Sequence, residues 1–544
     1  MRAHPLVPVI LCVATSVTLL GGPITVAHAE KTVVIDGQIP DGGADHLFIP
    51  FDLSDANIRE IEIRHDDRSA SNILDFGLYD PNGFRGWGGG TSEATIVSEQ
   101  AASRGYAPGP LPFGRWQVVI GKAKIVDLPA VYHLEIVLRE TPTLAKQNRR
   151  SYVPSAALSS EHRYYAGDLH VHSRESTDAN PTLEEIAQFA KGRGLDFVAI
   201  SDHNIVTQLD GFGDVQKNHP DLLLLPAIEV TTYAGHLGAI GATRFIDHKV
   251  GQPGITIDSI AAQVAAQNAI LSINHPRLSL GDACIGCAWM HNLSPDKIQA
   301  VEVATGGLRQ GGLLFTPAAI RFWDDLLASG QHIAALGGSD DHQAGKASGR
   351  TQSPIGDPTT LILAKELSAA ALIDGIRHGR TVVKLQGPED PMVELSSGDS
   401  VLGDTVLARS LRLVLNVKGG RGSAVRLVVD GEAQPSISVD ADPFVLTSDY
   451  RPRPGTEQRI RAEVIVDGQL RTLTSHLYVQ FSETGRDDLA ETTSHSSLGC
   501  VQARHSKATP FALLFGGVAL LLIGCVRRLI THSTASKRAA NKRG

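Results

Sequence analysis

The sequence predicts an α/β domain flanked by two all-β domains. The chain has 544 residues, which is too long for one hydrophobic core and indicates about three domains. Between 161 and 388, apolar runs alternate with amphipathic helical patterns, and this strand–loop–helix order predicts a parallel sheet, open or closed into a barrel. On either side, short runs of alternating polarity are separated by Asn-Gly and Asp-Gly turns, which is typical of β-sandwiches.

Residues 1–29 have the pattern of a signal peptide. Arg2 precedes an apolar core over 6–20, and Ala27-His28-Ala29 has the form of a cleavage site. A first transmembrane helix is the alternative interpretation. We therefore expect the mature chain to begin near Glu30 and to be exported to a bacterial periplasm or cell surface.

The two predicted all-β regions lie on opposite sides of the central region in the sequence. An N-terminal β-sandwich is predicted over 30–142, and a polar linker follows over 143–160. Because no cluster of reactive side chains stands out in this sandwich, we expect an accessory or substrate-presenting module. A second β-sandwich is predicted over 389–482, where alternating runs end in turns at Asp430-Gly431 and Asp467-Gly468.

The C-terminal end resembles a membrane anchor. Residues 483–509 have the polar composition of a flexible stalk. The apolar segment 510–530 predicts a transmembrane or sorting helix, although its uninterrupted run is shorter than the usual span of about 20 residues. The basic tail 531–544 is expected to stay cytoplasmic by the positive-inside rule. A buried core helix, or a sorting tail that is processed near Cys500, is the alternative.

The net charge of the chain restricts the kinds of partner that it can bind. The formal net charge is -8 and the sequence pI is about 6.2, which argues against a broad nucleic-acid-binding surface. The sequence leaves the oligomeric state open.

The central region, 161–388, contains clear helix signals. Thr182 and Glu185 have the spacing of a capping box ahead of an apolar face that includes Ile186 and Ala190. Further helices are predicted near 257–268, 318–329 and 368–378. Buried strands lie between these helices, and in such folds the chemistry is found at the carboxyl ends of the strands.

Polar residues follow several of these strands. His170 and His172 are two apart, so on a strand both imidazoles face the same side and can bind one ion. Two surface histidines would explain this motif alone, but similar residues end other apolar runs: Asp202-His203, Glu229, His236, His275 and Asp340-Asp341-His342. The recurrence predicts a metal site.

This set of motifs resembles the PHP (polymerase and histidinol phosphatase) superfamily of metallohydrolases, and is most similar to its exported branch of carbaryl-hydrolase-like enzymes. The resemblance covers about 161–387 and implies a distorted seven-fold β/α barrel that holds two or three metal ions. It implies that Asp202 supports the ligands and that Asp341 points away. The metal ligands it implies are His170, His172, Asp178, His203, Glu229, His236, His275, Asp340 and His342.

Six histidines and three carboxylates are too many ligands for one tetrahedral ion. Shared by two or three divalent ions, for which Zn, Mn and Fe are suitable, they leave positions for a bridging water of lowered pKa. We expect this hydroxide to attack a small phosphoester. The alternatives are a carboxyl-ester or carbamate substrate at the same ions, or a surface-anchored binding protein with an inert barrel. Candidate cations for an anionic substrate are Arg277, Lys346 and Arg350, for which ordinary solvated charges are an equal alternative.

Cys284 and Cys287 form a Cys-Ile-Gly-Cys motif in a predicted loop. In an exported chain a local disulfide is the first interpretation. A redox motif or an extra metal site is the alternative.

Overall fold

The computed structural model describes residues 30–306, 315–346 and 353–489. The predicted signal peptide, transmembrane segment and basic tail lie outside the described residues, as does the stalk from residue 490 onward. Within the described ranges, no helix is both long enough and apolar enough to cross a membrane.

The N-terminal module is a sandwich of two antiparallel sheets, which confirms the fold predicted for this region. Its strands are β1 (Glu30–Gln38), β2 (His46–Leu53), β3 (Glu60–Asp66), β4 (Ile73–Asp80), β5 (Gly83–Gly89), β6 (Thr95–Ser98), β7 (Gly114–Lys124) and β8 (Val131–Arg139). One sheet has the order β1-β8-β3-β6 and the other has the order β2-β7-β4-β5. Ile61, Trp116 and Leu134 are fully buried in the core between them.

The segment 140–162 contains no helix or strand and runs along both neighbouring modules. The side chain of Gln147 exchanges hydrogen bonds of 3.1 and 2.8 Å with the backbone of Ala102 in the sandwich. The backbone N–H of Leu158 donates to the carbonyl of Leu367 in the central region at 2.9 Å. The linker is therefore held at both ends.

In its described residues, the central region contains five α-helices and nine strands. The helices are α1 (Leu183–Gly192), α2 (Phe212–Asn218), α3 (Ile257–Ala265), α4 (Thr316–Leu327) and α5 (Ala369–Arg377). The strands are β9 (Arg163–Val171), β10 (Phe197–Ile200), β11 (Leu223–Thr232), β12 (Gly235–Ile240), β13 (Ile270–Ile273), β14 (Ala300–Thr305), β15 (Ala334–Gly338), β16 (Thr359–Ala364) and β17 (Thr381–Lys384).

Helix α1 begins as its sequence predicts. The backbone N–H of Glu185 donates to Thr182 Oγ1 at 3.2 Å, and the Glu185 carboxylate accepts from the Thr182 backbone N–H at 2.9 Å. This reciprocal pair satisfies two backbone donors that the first turn leaves free. Ile186 and Ala190 are fully buried, so the cap directs the apolar face of the helix onto the sheet.

The central sheet is mixed, and the prediction of a parallel sheet is wrong for several strands. Strands β9, β10 and β11 are parallel, as are β13, β14 and β15. Strand β12 is antiparallel to both β11 and β13, and β16 is antiparallel to β9 and β17. The reason at β12 is length: only Tyr233 and Ala234 separate it from β11, whereas a parallel crossover needs about a dozen residues.

The C-terminal module shares its sheet with the central region. Its strands are β18 (Met392–Ser396), β19 (Thr405–Lys418), β20 (Ala424–Val429), β21 (Glu432–Ala433), β22 (Ile437–Ser438), β23 (Phe444–Tyr450), β24 (Gln458–Val466), β25 (Gln469–Thr474), β26 (Leu477–Phe481) and β27 (Arg486–Asp487). Strand β25 pairs with β17, and the strands from β9 to β27 form one closed network. Strand β19 pairs with β18 and β23 along one half and with β26 and β27 along the other.

The start of the predicted flexible stalk is wrong, because the chain remains folded beyond residue 483. Strand β27 pairs with β19, the backbone N–H of Arg412 donates to Asp488 at 3.0 Å, and Arg486 donates to the carbonyl of Ser397 at 2.8 Å. The polar residues that indicated a stalk are held in place here by hydrogen bonds, and not by the burial of apolar side chains.

Candidate metal centre

The site is organised around the carboxylate of Glu229, on β11, which is 1% exposed. Its two oxygen atoms face different sets of imidazoles. The nitrogens near Oε1 are His275 Nε2 at 3.0 Å, His170 Nε2 at 3.2 Å and His236 Nδ1 at 3.5 Å. Those near Oε2 are His203 Nδ1 at 3.0 Å and His172 Nε2 at 3.7 Å. Five of the six predicted histidines therefore meet at one buried carboxylate.

Neighbouring strand ends produce this convergence. His170 lies on β9 and His172 just beyond it, and both rings face Glu229 as the i, i+2 spacing predicts. A bridge after β10 pairs His203 with Glu229. His236 lies on β12, directly opposite Thr231 of β11.

Two further carboxylates lie beside the histidines. Asp340 Oδ1 is 3.1 Å from His172 Nε2 and 3.3 Å from His170 Nε2. Asp178 Oδ2 is 3.1 Å from His203 Nε2 and 3.4 Å from His342 Nε2. The structure thus brings all nine predicted ligands into one connected cluster.

The backbone is strained at two of these positions. His275 has φ 27° and Asp340 has φ 56°, a region that residues other than glycine rarely adopt. Such strain costs on the order of 1–3 kcal/mol and is found preferentially at functional sites. Hydrogen bonds hold both turns: the His275 N–H donates to Glu302 at 2.8 Å, and the Asp340 N–H donates to the carbonyl of His170 at 2.9 Å.

Sequence reasoning missed Glu302, on β14. Its carboxylate is buried, lies 3.3 Å from His170 Nδ1 and accepts from the His275 backbone N–H at 2.8 Å. It therefore faces the side of the His170 ring opposite Glu229. The available signal was a lone carboxylate inside the apolar run Val301-Glu302-Val303, because an unpaired charge is rarely buried.

Smaller polar contacts orient the loops. The predicted supporting residue Asp202 accepts hydrogen bonds from Ser173, at 2.6 Å from its N–H and 2.5 Å from its hydroxyl, and so fixes the residue after His172. Asn274 donates to Glu229 Oε1 at 3.0 Å. Asp341 accepts backbone hydrogen bonds from residues that follow it, including Gly345, and so points away as expected.

Two of the three predicted substrate-binding cations have other partners. Lys346 pairs with Glu185 at the start of α1, and its side chain is largely exposed. The guanidinium of Arg277 lies over the ring of Phe322, 4.7 Å from its centre. Arg350 lies outside the described residues.

Charges in the cluster oppose the effect of burial. Burial disfavours a charged imidazolium at His170, but the carboxylates of Glu229 and Asp340 outweigh it and raise the pKa well above its usual value. Burial also opposes ionisation of Glu229, yet the imidazoles of His170 and His236 hold the pKa of that carboxyl well below its usual range. At His172, burial and the neighbouring imidazoles of His342 and His203 lower the pKa to about 3.

The donor atoms fit divalent metal ions. His170 Nε2, both ring nitrogens of His172, His236 Nδ1 and Glu229 Oε2 are buried without a hydrogen-bond partner in the part of the chain that the structure describes. Such atoms are costly unless another group satisfies them. Four groups have donors within 4.8 Å of one another: His172-His203-His342; His236-His275-Cys287; His170-His172-Glu229-Asp340; and His170-His275-Glu302. The overlap of these groups matches a site that holds more than one ion.

The N-terminal sandwich lies against the segment that carries Asp178. Thr177 Oγ1 donates to the carbonyl of Gly88 at 2.5 Å, and Arg104 donates to the carbonyl of Ala179 at 2.8 Å. On the β11–β12 hairpin, the Tyr233 hydroxyl donates to Asp75 of β4 at 2.7 Å. The sandwich is therefore a neighbour of the exposed side of the cluster.

Fold and site together define a multi-domain α/β protein with β-sandwich modules and a buried cluster able to hold metal ions. No protein-family model matches the chain, and no curated protein sequence matches it.

Three solved structures show distant likeness. A two-domain Bacteroides vulgatus protein containing a predicted PHP-like metal-dependent phosphoesterase is 17% identical, over 61% of this chain and 100% of that chain, with TM-score 0.33. An amidohydrolase from Chromobacterium violaceum is 15% identical, over 34% and 91%, with TM-score 0.24. The CARDB domain of a Pyrococcus furiosus protein, in complex with di-metal ions, is 19% identical, over 17% and 88%, with TM-score 0.14. Because these TM-scores are below 0.5, the three similarities do not support a conclusion about function.

Proposed function

We propose that the chain is a metal-dependent hydrolase of the PHP type, whose central region corresponds to the distorted barrel of that superfamily and which cleaves small phosphoesters. The observation that supports this most strongly is the meeting of five imidazoles at the Glu229 carboxylate. A carboxylate whose two oxygens face separate sets of imidazoles has the arrangement of a ligand shared between two ions.

The proposed ligands have separate roles. Glu229 would join the ions, and His170, His236 and His275 would complete one side of the centre while His172, His203 and His342 complete the other. Asp340 and Asp178 would supply the remaining carboxylates. Bound divalent ions would supply Lewis acidity, polarising an ester oxygen and lowering the pKa of a water molecule.

Exposure indicates the direction from which a substrate would approach. The side chains of His170, His172, His275 and Glu229 are 3% exposed or less. In contrast, the side chains of His203 and His342 are each 22% exposed, and that of Asp178 is 52% exposed. The buried side therefore keeps water from the back of the centre, and the ester would enter beside Asp178 and His342.

Enzyme assays test this proposal and rank the substrates. Purified protein is stripped with a chelator, reloaded with Zn²⁺, Mn²⁺ or Fe²⁺, and assayed on nitrophenyl phosphate, bis-nitrophenyl phosphate and nitrophenyl acetate. We expect metal-dependent turnover of a phosphoester, and its loss in His172→Ala and Glu229→Ala. Exposed His378→Ala and Glu432→Ala are the matched controls, in which turnover should persist.

The alternatives make different predictions in the same assays. Faster turnover of the acetate would favour a carboxyl-ester or carbamate hydrolase. Absence of turnover with every metal would favour a surface-anchored binding protein, and turnover that survives in Glu229→Ala would contradict the proposed site.

We further propose that the protein is exported and anchored through its C-terminal segment. Support comes from the signal-like pattern of 1–29 and from the apolar segment 510–530 followed by basic residues. Cell fractionation tests this: the full chain should be found with the membrane, and a chain ending at residue 509 should be released. Equal distribution of the two chains would contradict the anchor.

A further inference from the structure

The loop that contains Cys284 and Cys287 touches two proposed ligands. The Ile285 carbonyl lies 3.1 Å from His236 Nε2, and the Cys287 carbonyl lies 3.2 Å from His275 Nδ1. A carbonyl oxygen only accepts hydrogen bonds, so both ring nitrogens must carry the proton. In the neutral rings, the lone pairs then lie on His236 Nδ1 and His275 Nε2, the atoms that face Glu229 Oε1.

A disulfide joins Cys284 to Cys287. The Ile285 carbonyl lies within the ring that this bond closes, and the Cys287 carbonyl lies directly after it. The loop also packs tightly on the β11–β12 hairpin. Gly286 has φ +75°, and a Cβ there would lie 2.4 Å from the carbonyl oxygen of Thr232. After the loop, the Met290 N–H donates to the carbonyl of Ala234 at 2.8 Å. The covalent ring and this packing hold both carbonyls against the two imidazoles.

We propose that this disulfide-closed loop is a positioning element that fixes the tautomer and orientation of His236 and His275, and so strengthens divalent-metal binding on that side of the centre. The inference rests on the proposed metal-dependent function and deepens it. Hydrogen bonds from a ligand imidazole to a carbonyl are a recurrent way of setting metal affinity, and their loss costs about 10–100-fold. The Cys-Ile-Gly-Cys motif thereby acquires a role without contributing a ligand of its own.

Equilibrium binding of Mn²⁺ to the full chain, measured by calorimetry, tests the proposal. Mn²⁺ affinity is compared between the oxidised protein, the same protein reduced with a phosphine, and the variants Cys284→Ser and Cys287→Ser. We expect about 10–100-fold weaker binding in the reduced protein and in both variants alike. Circular dichroism checks folding, and if a variant is unfolded the reduced wild-type protein decides.

A thiolate ligand is the competing explanation, because Cys287 Sγ lies within 4.8 Å of donor nitrogens of His236 and His275. In that case Cys284→Ser, which frees Cys287, would bind Mn²⁺ more tightly than Cys287→Ser, and the positioning role would be overturned. Unchanged affinity after reduction would also overturn it but would leave the proposed function intact. A failure of the oxidised protein to bind any divalent metal would instead refute the proposed function.

Asp282→Asn is the matched control within the same loop. Asp282 is largely exposed and pairs with Lys124 of the sandwich at 2.7 Å, outside the disulfide ring. Its substitution should leave Mn²⁺ affinity within about twofold of wild type. A loss equal to that of the cysteine variants would show that any disturbance of the loop suffices, and would contradict a specific role for the disulfide.

Discussion

Glu302→Gln is the substitution that most sharply tests how the centre is supported. The Glu302 carboxylate lies 3.3 and 3.4 Å from His170 Nδ1 through its two oxygens and accepts from the His275 N–H at 2.8 Å. Glutamine keeps the shape of the side chain but replaces one acceptor oxygen with an NH₂ group, which cannot accept a hydrogen bond from either donor. It also removes the negative charge that makes His170 a better ligand.

The expected effect follows from this geometry. Carboxylates that hold a ligand imidazole typically contribute 10–100-fold to metal affinity, which corresponds to about 1.4–2.7 kcal/mol. We expect Glu302→Gln to weaken Zn²⁺ binding by about this factor, while the protein stays folded because the buried volume is unchanged.

Competition with a chelator of known affinity provides the measurement. Glu432→Gln removes the same charge from an exposed strand and should bind Zn²⁺ like wild type. Melting curves without metal check that both variants are folded. A folded Glu302→Gln protein with affinity within about twofold of wild type would refute the supporting role.

Three further predictions concern stability. Burial, and then the charge of Lys249, lowers the pKa of His46 to about 4. As the pH falls, the unfolded state therefore takes up a proton that the folded state excludes. Stability should therefore be full above about pH 6.5 and fall by up to about 3 kcal/mol as the pH drops toward 4. His46→Phe should reduce this slope in melting temperatures, whereas exposed His378→Phe should keep it. Thr182→Ala removes the cap of α1 and should lower the free energy of unfolding by about 0.5–2 kcal/mol in denaturant titrations, and no change would contradict the capping role. Metal at about 100 times its dissociation constant should stabilise the chelator-treated protein by about 2.7 kcal/mol, and a melting temperature insensitive to metal would argue against a site specific to the folded state.

Local patterns predicted much of the fold. Alternation at strands such as β3 and β8 indicated the first sandwich, and the Thr182–Glu185 box located a helix start to the residue. Both signals depend only on neighbouring residues. Pairings between distant segments, such as β17 with β25 or β27 with β19, depend on which edges meet in the folded chain and leave little trace in short windows of sequence.

The candidate site likewise contains residues that a local sequence pattern reveals and a residue that only the folded chain reveals. His170 and His172 have a spacing that itself indicates a shared face, and Glu229 ends an apolar run, so both could be found. Glu302 has no spacing signature and lies alone in a strand, and its importance appears only when β14 is placed beside His170 and His275. The hairpin at Tyr233 places His236 on β12 and within the cluster, a position that short windows of sequence do not reveal.

Anomalous diffraction from crystals soaked in Zn²⁺ or Mn²⁺ tests the central claim most directly. Two or three anomalous peaks should lie beside Glu229, with His170, His172, His203 and His275 about 2.0–2.2 Å from one or another of them. Well-diffracting crystals of the metal-treated protein with no peak at Glu229, or with metal bound only elsewhere on the chain, would contradict the proposed metal centre.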